Sequence, residues 1–163
     1  MSKFEIKFIN LSRIYRKLNP PDIVMVDCNS TLLLRKALQQ CARYFQREGY
    51  SDWLHYDLNE SNFVGFLFMD RNYCHAVGGC LFRLRKFADI NKPFFSMHWI
   101  WLHPYVRNKG LLSKHVDYFN QIFGYWYPEY PLSKAMQAFV EKHKLIAPEK
   151  KFSESFLPCQ PQL

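Results

Sequence analysis

The residues FFSMHWIWLHPYVRNKGLLSKHVDYFNQIF, Phe94 to Phe123, decide how the rest of the chain is read. A dense aromatic and apolar run passes through Pro104 into a short basic turn that holds Gly110. The chain then enters a segment whose apolar residues Leu112, Val116, Phe119 and Phe123 recur at the spacing of one helix face, with Gly124 as a stop. This pattern predicts a strand over Phe95 to Leu102, a turn, and a helix opening near Gly110.

A turn of this kind attracts anions for a physical reason. The first turn of a helix has N–H groups with no intrahelical partner, and the helix dipole adds partial positive charge at that end. Gly110 has no side chain to hold a phosphate away, and Arg107 and Lys109 bring two cations, of which arginine can grip phosphate oxygens with two bonds. The plain alternative is a solvated strand-to-helix turn with basic residues.

In order, Leu102, Pro104, Arg107 and Gly110 spell hydrophobic-x-Pro-x-x-Arg-x-x-Gly, followed at once by Leu111 and Leu112. This resembles the acyl-CoA loop of the GCN5-related N-acetyltransferases, in which a strand ends in Val-x-Pro and the turn reads Arg/Gln-x-x-Gly-x-Gly/Ala. Leu112 departs from the pattern, standing where that family has a small residue. The resemblance implies acetyl-CoA as co-substrate, with Trp101, Leu102, His103, Arg107, Asn108, Lys109, Gly110, Leu111, Leu112 and Ser133 around it. It also implies an oxyanion held by a backbone N–H near Leu102 or His103.

Downstream, Tyr125 to Tyr130 is an aromatic strand candidate, and Ser133 is placed to cap a helix over Lys134 to His143. The segment PLSKAMQAFVEKHK is similar to the last conserved element of the same family, a strand leading into a helix that reads roughly S-x-x-A-x-x-x-Tyr-Glu-Lys. Glu141 and Lys142 fit, whereas Phe139 and Val140 occupy the places of the tyrosine. From Ala147 onward, three prolines mark a loose C-terminal extension, 147–163, beyond a single domain of 1–146.

Upstream, the opening segment to Asn19 reads as a strand and a short helix ended by Pro20-Pro21. Ile23 to Val26 is a β-branched strand, and Asn29 or Ser30 can cap a helix with apolar residues at Leu34, Leu38, Cys41 and Phe45, stopped by Gly49. Trp53 to Asn62 reads as a loop with room for a short helix. Phe63 to Met69 is apolar throughout, as suits a strand buried on both faces. A turn at Asp70 to Asn72 leads into a strand over Tyr73 to Arg85, in which Gly78-Gly79 marks a bulge or a close backbone contact. After a turn around Asn91 to Pro93 comes the strand of the opening stretch. The expected fold is therefore α/β, an α+β mixed sheet flanked by helices, as in the acyl-CoA N-acyltransferases.

The 163 residues are 48% hydrophobic and 18% aromatic, enough to bury a core of their own. No apolar run reaches the ~20 residues that span a bilayer, and the start lacks a signal-peptide core, so a cytoplasmic location and no membrane partner are expected. Five cysteines without C-x-x-C pairs suggest buried free thiols, and the six histidines lie apart from carboxylates at ligand spacing, so no metal is expected. The net charge of +8 favours polyanions, and the Arg83–Arg85–Lys86 group reads as a solvated face.

An acetyltransferase must deprotonate its amine, since a lysine-type amine with a pKa of ~10.4 is almost wholly protonated at pH 7. Strand alternation puts Ser96, His98, Ile100 and Leu102 on one face, and Met97, Trp99, Trp101 and His103 on the other. His98 thus shares a face with the strand end and is the candidate base, the other reading being a strand histidine bonded to a backbone carbonyl. The family draws its thiolate acid from a helix tyrosine, which is missing here; Tyr127 is chosen on alternation. The acceptor is an amine-bearing small molecule or protein. Two rivals stand beside this reading: a degenerate member that binds CoA or a partner without turnover, and a basic nucleic-acid-binding domain with exposed aromatics.

Overall fold

A computed structural model describes residues 6–15, 20–49, 61–87 and 90–153 of the chain. Among these, β1 (Ile9–Asn10), β2 (Ile23–Val26), β3 (Phe63–Asp70), β4 (His75–Phe87), β5 (Ile90–Leu102) and β6 (Trp126–Pro128) form one sheet, ordered β2-β3-β4-β5-β6 with β1 on β4. All pairs are antiparallel except β5 with β6. The helices are α1 (Ser12–Tyr15), α2 (Leu32–Arg47), α3 (Val116–Phe123), α4 (Lys134–Lys142) and α5 (Pro148–Ser153). None of them is long and apolar enough to cross a membrane.

The apolar run of β3 is buried on both faces because the sheet carries a core on each side. On one side α2 lays Leu34, Ala37, Leu38 and Cys41 over Leu67, Leu81, Trp99 and Trp101. On the other, α3 packs Val116 and Phe119 against Phe66, Phe82, Met97 and Trp126, with Met136 and Phe139 of α4 at the margin. Fully burying one such side chain contributes roughly 1.5–3 kcal/mol. Glycines bring α2 close to the sheet: a Cβ at Gly65 would overlap Leu38 Cδ2, and one at Gly79 would lie 3.1 Å from Leu38 Cδ1. The expected close contact at Gly78-Gly79 is present, and the register of β3 on β4 also skips Val77 between Gly78 and Ala76.

Several expectations are corrected. The α2 N-cap is Thr31, because Ser30 Oγ is held in a turn with Asp27. Asn91 to Pro93 lie inside β5, which begins at Ile90, and β4 begins at His75. The α-helix expected to open near Gly110 begins at Val116, after a turn and a 3-10 turn over Ser113–His115. Residues 148–153 form α5 instead of loose chain, with the Phe152 ring 5.7 Å from Phe94 and 5.2 Å from Tyr125. The start of the opening segment, 1–5 and 16–19, the predicted loop from 53 to 60 and the tail from 154 lie outside the described residues. Gly49, Gly124 and Ser133 take the stop and cap positions read for them.

Candidate active site

Strands β5 and β6 run side by side only from Phe95↔Trp126 to Met97↔Pro128, with one more bond from Glu129 N–H to Met97 O at 3.0 Å. Beyond that point β5 continues to Leu102 while the chain after β6 turns toward α4. The edge of β5 from His98 to Leu102 therefore faces a cleft of about 280 Å³. His103 N–H bonds Val77 O on β4 at 2.8 Å, and in an antiparallel ladder the next amide points the other way. By that alternation the N–H of Leu102 is aimed at the open edge. Of the two amides read as oxyanion donors, only that of Leu102 is free to turn that way.

The expected face alternation along β5 fails at His98. Leu81 pairs with Trp99 and Phe82 with Met97, so His98 is the extra residue of a β-bulge. Met97 consequently shares the α3-side core with Ile100 and Leu102, while Trp99 and Trp101 face α2. His98 lines the cleft with its side chain 14% exposed. Its Nδ1 lies 3.0 Å from Glu129 Oε2.

Glu129 stands at the centre of a polar cluster. Its carboxylate accepts bonds from Nε and Nη2 of both Arg83 and Arg85 and from Ser96 Oγ. Burial pushes the carboxyl pKa up, but the bonds from His98, Arg83, Ser96 and Arg85 together outweigh it and hold the group well below the usual carboxylate range. The arginines read as a solvated face are therefore corrected to an ion-pair cluster. Sequence reasoning missed Glu129 entirely; the signal was the spacing of Arg83 and Arg85, which puts two cations on one strand face.

The basic turn is built from two left-handed residues, Asn108 at φ 59° and Gly110 at φ 73°. Residues 107–112 form a turn, and among the described residues no main-chain N–H from Asn108 to Ser113 makes a short, well-aligned bond to a main-chain oxygen. A Cβ on Gly110 would meet nothing within 4 Å, so the space above the turn is open. Arg107, however, does not reach into that space. Its Nη2 lies 2.7 Å from Glu48 Oε1 at the end of α2, and its Nε donates to Leu102 O at 2.8 Å. Of the two cations read as phosphate ligands, Arg107 is a brace, and Lys109 stays exposed on the turn. Leu112 turns inward, 9% exposed, where it fills core and lines the cleft; it does not crowd the outer side of the turn.

Of the remaining candidates, Trp101, Leu102, Asn108 and Ser133 line the cleft, and Ser133 Oγ caps α4 by accepting from Met136 N–H at 3.2 Å. Lys109, Gly110 and Leu111 lie on the turn beside it. His103 is elsewhere: 4% exposed, it stacks 4.1 Å from Phe8, accepts from Tyr105 N–H, and has its pKa lowered by burial and then by Arg107. Tyr127 does not line the cleft. Its hydroxyl lies 3.3 Å from that of Tyr130 in a neighbouring depression, with its pKa pushed up to about 12 by burial and then by that bond.

A mixed sheet whose parallel strands β5 and β6, the latter at the edge of the described sheet, part beside a basic turn matches the fold of acyl-CoA N-acyltransferases. Solved structures agree. The chain matches an aminoglycoside acetyltransferase from an uncultured soil metagenomic sample, in complex with trehalose, at 15% identity and a TM-score of 0.52, covering 86% of this chain and 90% of that one. The xEco2 acetyltransferase domain bound to a CoA conjugate matches at 15% identity and a TM-score of 0.56, covering 74% and 86%. An aminoglycoside N-acetyltransferase in complex with CoA matches at 12% identity and a TM-score of 0.54, covering 79% and 92%. No family model matches the sequence, and no curated relative does. More particularly, the chain has the fold of the GCN5-related N-acetyltransferases, as the residues Leu102 to Gly110 led one to expect.

Proposed function

We propose that the chain is an acetyl-CoA-dependent N-acetyltransferase that passes an acetyl group to a primary amine by direct attack on the thioester. The observation that carries the reading is the cleft itself: a strand edge that no described strand pairs beyond Met97, a histidine on its wall, and the open turn around Gly110 at its end. Acetyl-CoA supplies the thioester. The amides of 108–113 and Lys109 hold its pyrophosphate, and the Leu102 N–H steadies the oxyanion. His98 takes the proton from the attacking amine as the N–C bond forms and the C–S bond breaks. Tyr127 has no part in this scheme, so the thiolate leaves without a tyrosine donor.

Acceptor identity rests on charge. Glu48 and Glu129 are both paired with arginines, so neither offers a free carboxylate to a polycation. Together with the net charge of +8, this favours an amine carried by an anionic small molecule or protein. A second reading, CoA binding without turnover, is favoured by the engagement of Arg107 with Glu48 and by the lack of a tyrosine among the described cleft residues. Release of free thiol from acetyl-CoA in the presence of varied amines separates the two. Turnover lowered by His98→Ala with acetyl-CoA affinity kept supports the first reading, and tight binding with no turnover for any amine supports the second.

A further inference from the structure

We propose that Glu129 is a positioning residue for His98: its carboxylate fixes the imidazole with the proton on Nδ1 and so presents a bare Nε2 to the cleft. The proposal deepens the acetyltransferase reading and rests on it for what that nitrogen is used for.

An ionised carboxylate only accepts hydrogen bonds. Placed 3.0 Å from Nδ1, Glu129 Oε2 requires a donor there, and in a neutral imidazole that leaves Nε2 as the acceptor. The carboxylate cannot swing away to release the ring. Arg83 Nε at 2.6 Å, Arg85 Nε at 3.0 Å and Ser96 Oγ at 2.5 Å hold Oε1, while Arg85 Nη2 at 2.9 Å and Arg83 Nη2 share Oε2 with the histidine. These partners come from β4, β5 and the end of β6, so the cluster ties three strands at the point where the cleft opens. The bulge supplies the other half of the device, since it takes His98 out of the regular ladder and lets the ring turn toward Glu129.

Glu129 acts by selecting the tautomer: the carboxylate takes the Nδ1 proton as its hydrogen bond, and the other ring nitrogen is left as an acceptor on the cleft wall that His98 lines.

The test uses the full chain, isotope-labelled, in long-range proton–nitrogen spectra of the histidine rings at about pH 8, above the ordinary histidine value of about 6.5. The expected result is a His98 ring protonated on Nδ1; a ring protonated on Nε2 overturns the proposal whether or not any Glu129 variant folds. In Glu129→Ala the ring should shift toward the other tautomer. The same variant should lose about a hundredfold in kcat with KM for acetyl-CoA kept, and Glu129→Asp should recover part of the loss. A His98 ring that keeps its proton on Nδ1 to the same extent in Glu129→Ala also overturns the proposal. An Nδ1-protonated ring in a chain that acetylates no amine contradicts the acetyltransferase reading instead, so the two failures are told apart.

Discussion

Arg107 and Glu48 face each other across 59 residues of sequence, Nη2 lying 2.7 Å from one carboxylate oxygen and 2.8 Å from the other. Glu48 Oε1 also accepts from Trp101 Nε1 at 3.0 Å, and Arg107 Nε reaches Leu102 O. The pair thus joins the end of α2, the end of β5 and the basic turn, and sets a wall of the cleft. On the proposed reading it leaves phosphate recognition to backbone amides.

Loss of either partner should open that wall. The arginine side chain is 35% exposed, so solvent screens the pair, and a coupling of about 1 kcal/mol is expected from a double-mutant cycle of Arg107→Ala and Glu48→Ala. Urea unfolding of the four proteins measures it. Purely additive effects would show that the contact does not hold the turn.

Close approach of α2 to the sheet is tested at Gly65. A methyl there meets Leu38, which is fully buried, so Gly65→Ala should destabilise the fold by about 1–3 kcal/mol. Leu38→Ala alone should cost about 2–5 kcal/mol by leaving a cavity. The double variant should be less damaged than the sum, because the added methyl occupies part of that cavity. Denaturant midpoints that simply add would contradict the packing described.

Acid should destabilise the chain through two kinds of group. His103 and His115 have pKa values lowered chiefly by burial, so the unfolded chain takes their protons first, and stability begins to fall below about pH 6.5. Glu129 has its pKa lowered in the fold, so its contribution is intact above the ordinary glutamate value of about 4.3 and is lost as pH falls toward the folded value. Stability measured from pH 7 to pH 3 should therefore fall in two stages. In Glu129→Gln the second stage should be shallower, and an unchanged slope would remove Glu129 from the account.

The fold was largely legible because hydrophobic period reports local structure directly. Ile23–Val26 and the α2 face from Leu34 to Phe45 needed only that period, and Ser133 needed only capping chemistry. The lining of the cleft was legible where it lies in one stretch, since Leu102 and Asn108 both face it. It was illegible where it depends on distant pairs or on an irregularity. Nothing near His98 announces a bulge, since the bulge is a property of how β5 registers on β4. Glu129 and Arg83 are 46 residues apart, and no spacing rule joins them. Arg107 looked like a phosphate ligand because its natural partner, Glu48, sits on another element.

The central claim is that free amides at the turn around Gly110 bind the diphosphate of acetyl-CoA. Thermal unfolding with and without acetyl-CoA, for the natural chain and for Gly110→Trp, tests it most directly. At a hundredfold excess over Kd the ligand should stabilise the natural chain by about 2.7 kcal/mol, several degrees for a protein of this size, and Gly110→Trp should lose the effect while still folding. No shift in the natural chain at millimolar acetyl-CoA, or an equal shift in both proteins, would contradict the account.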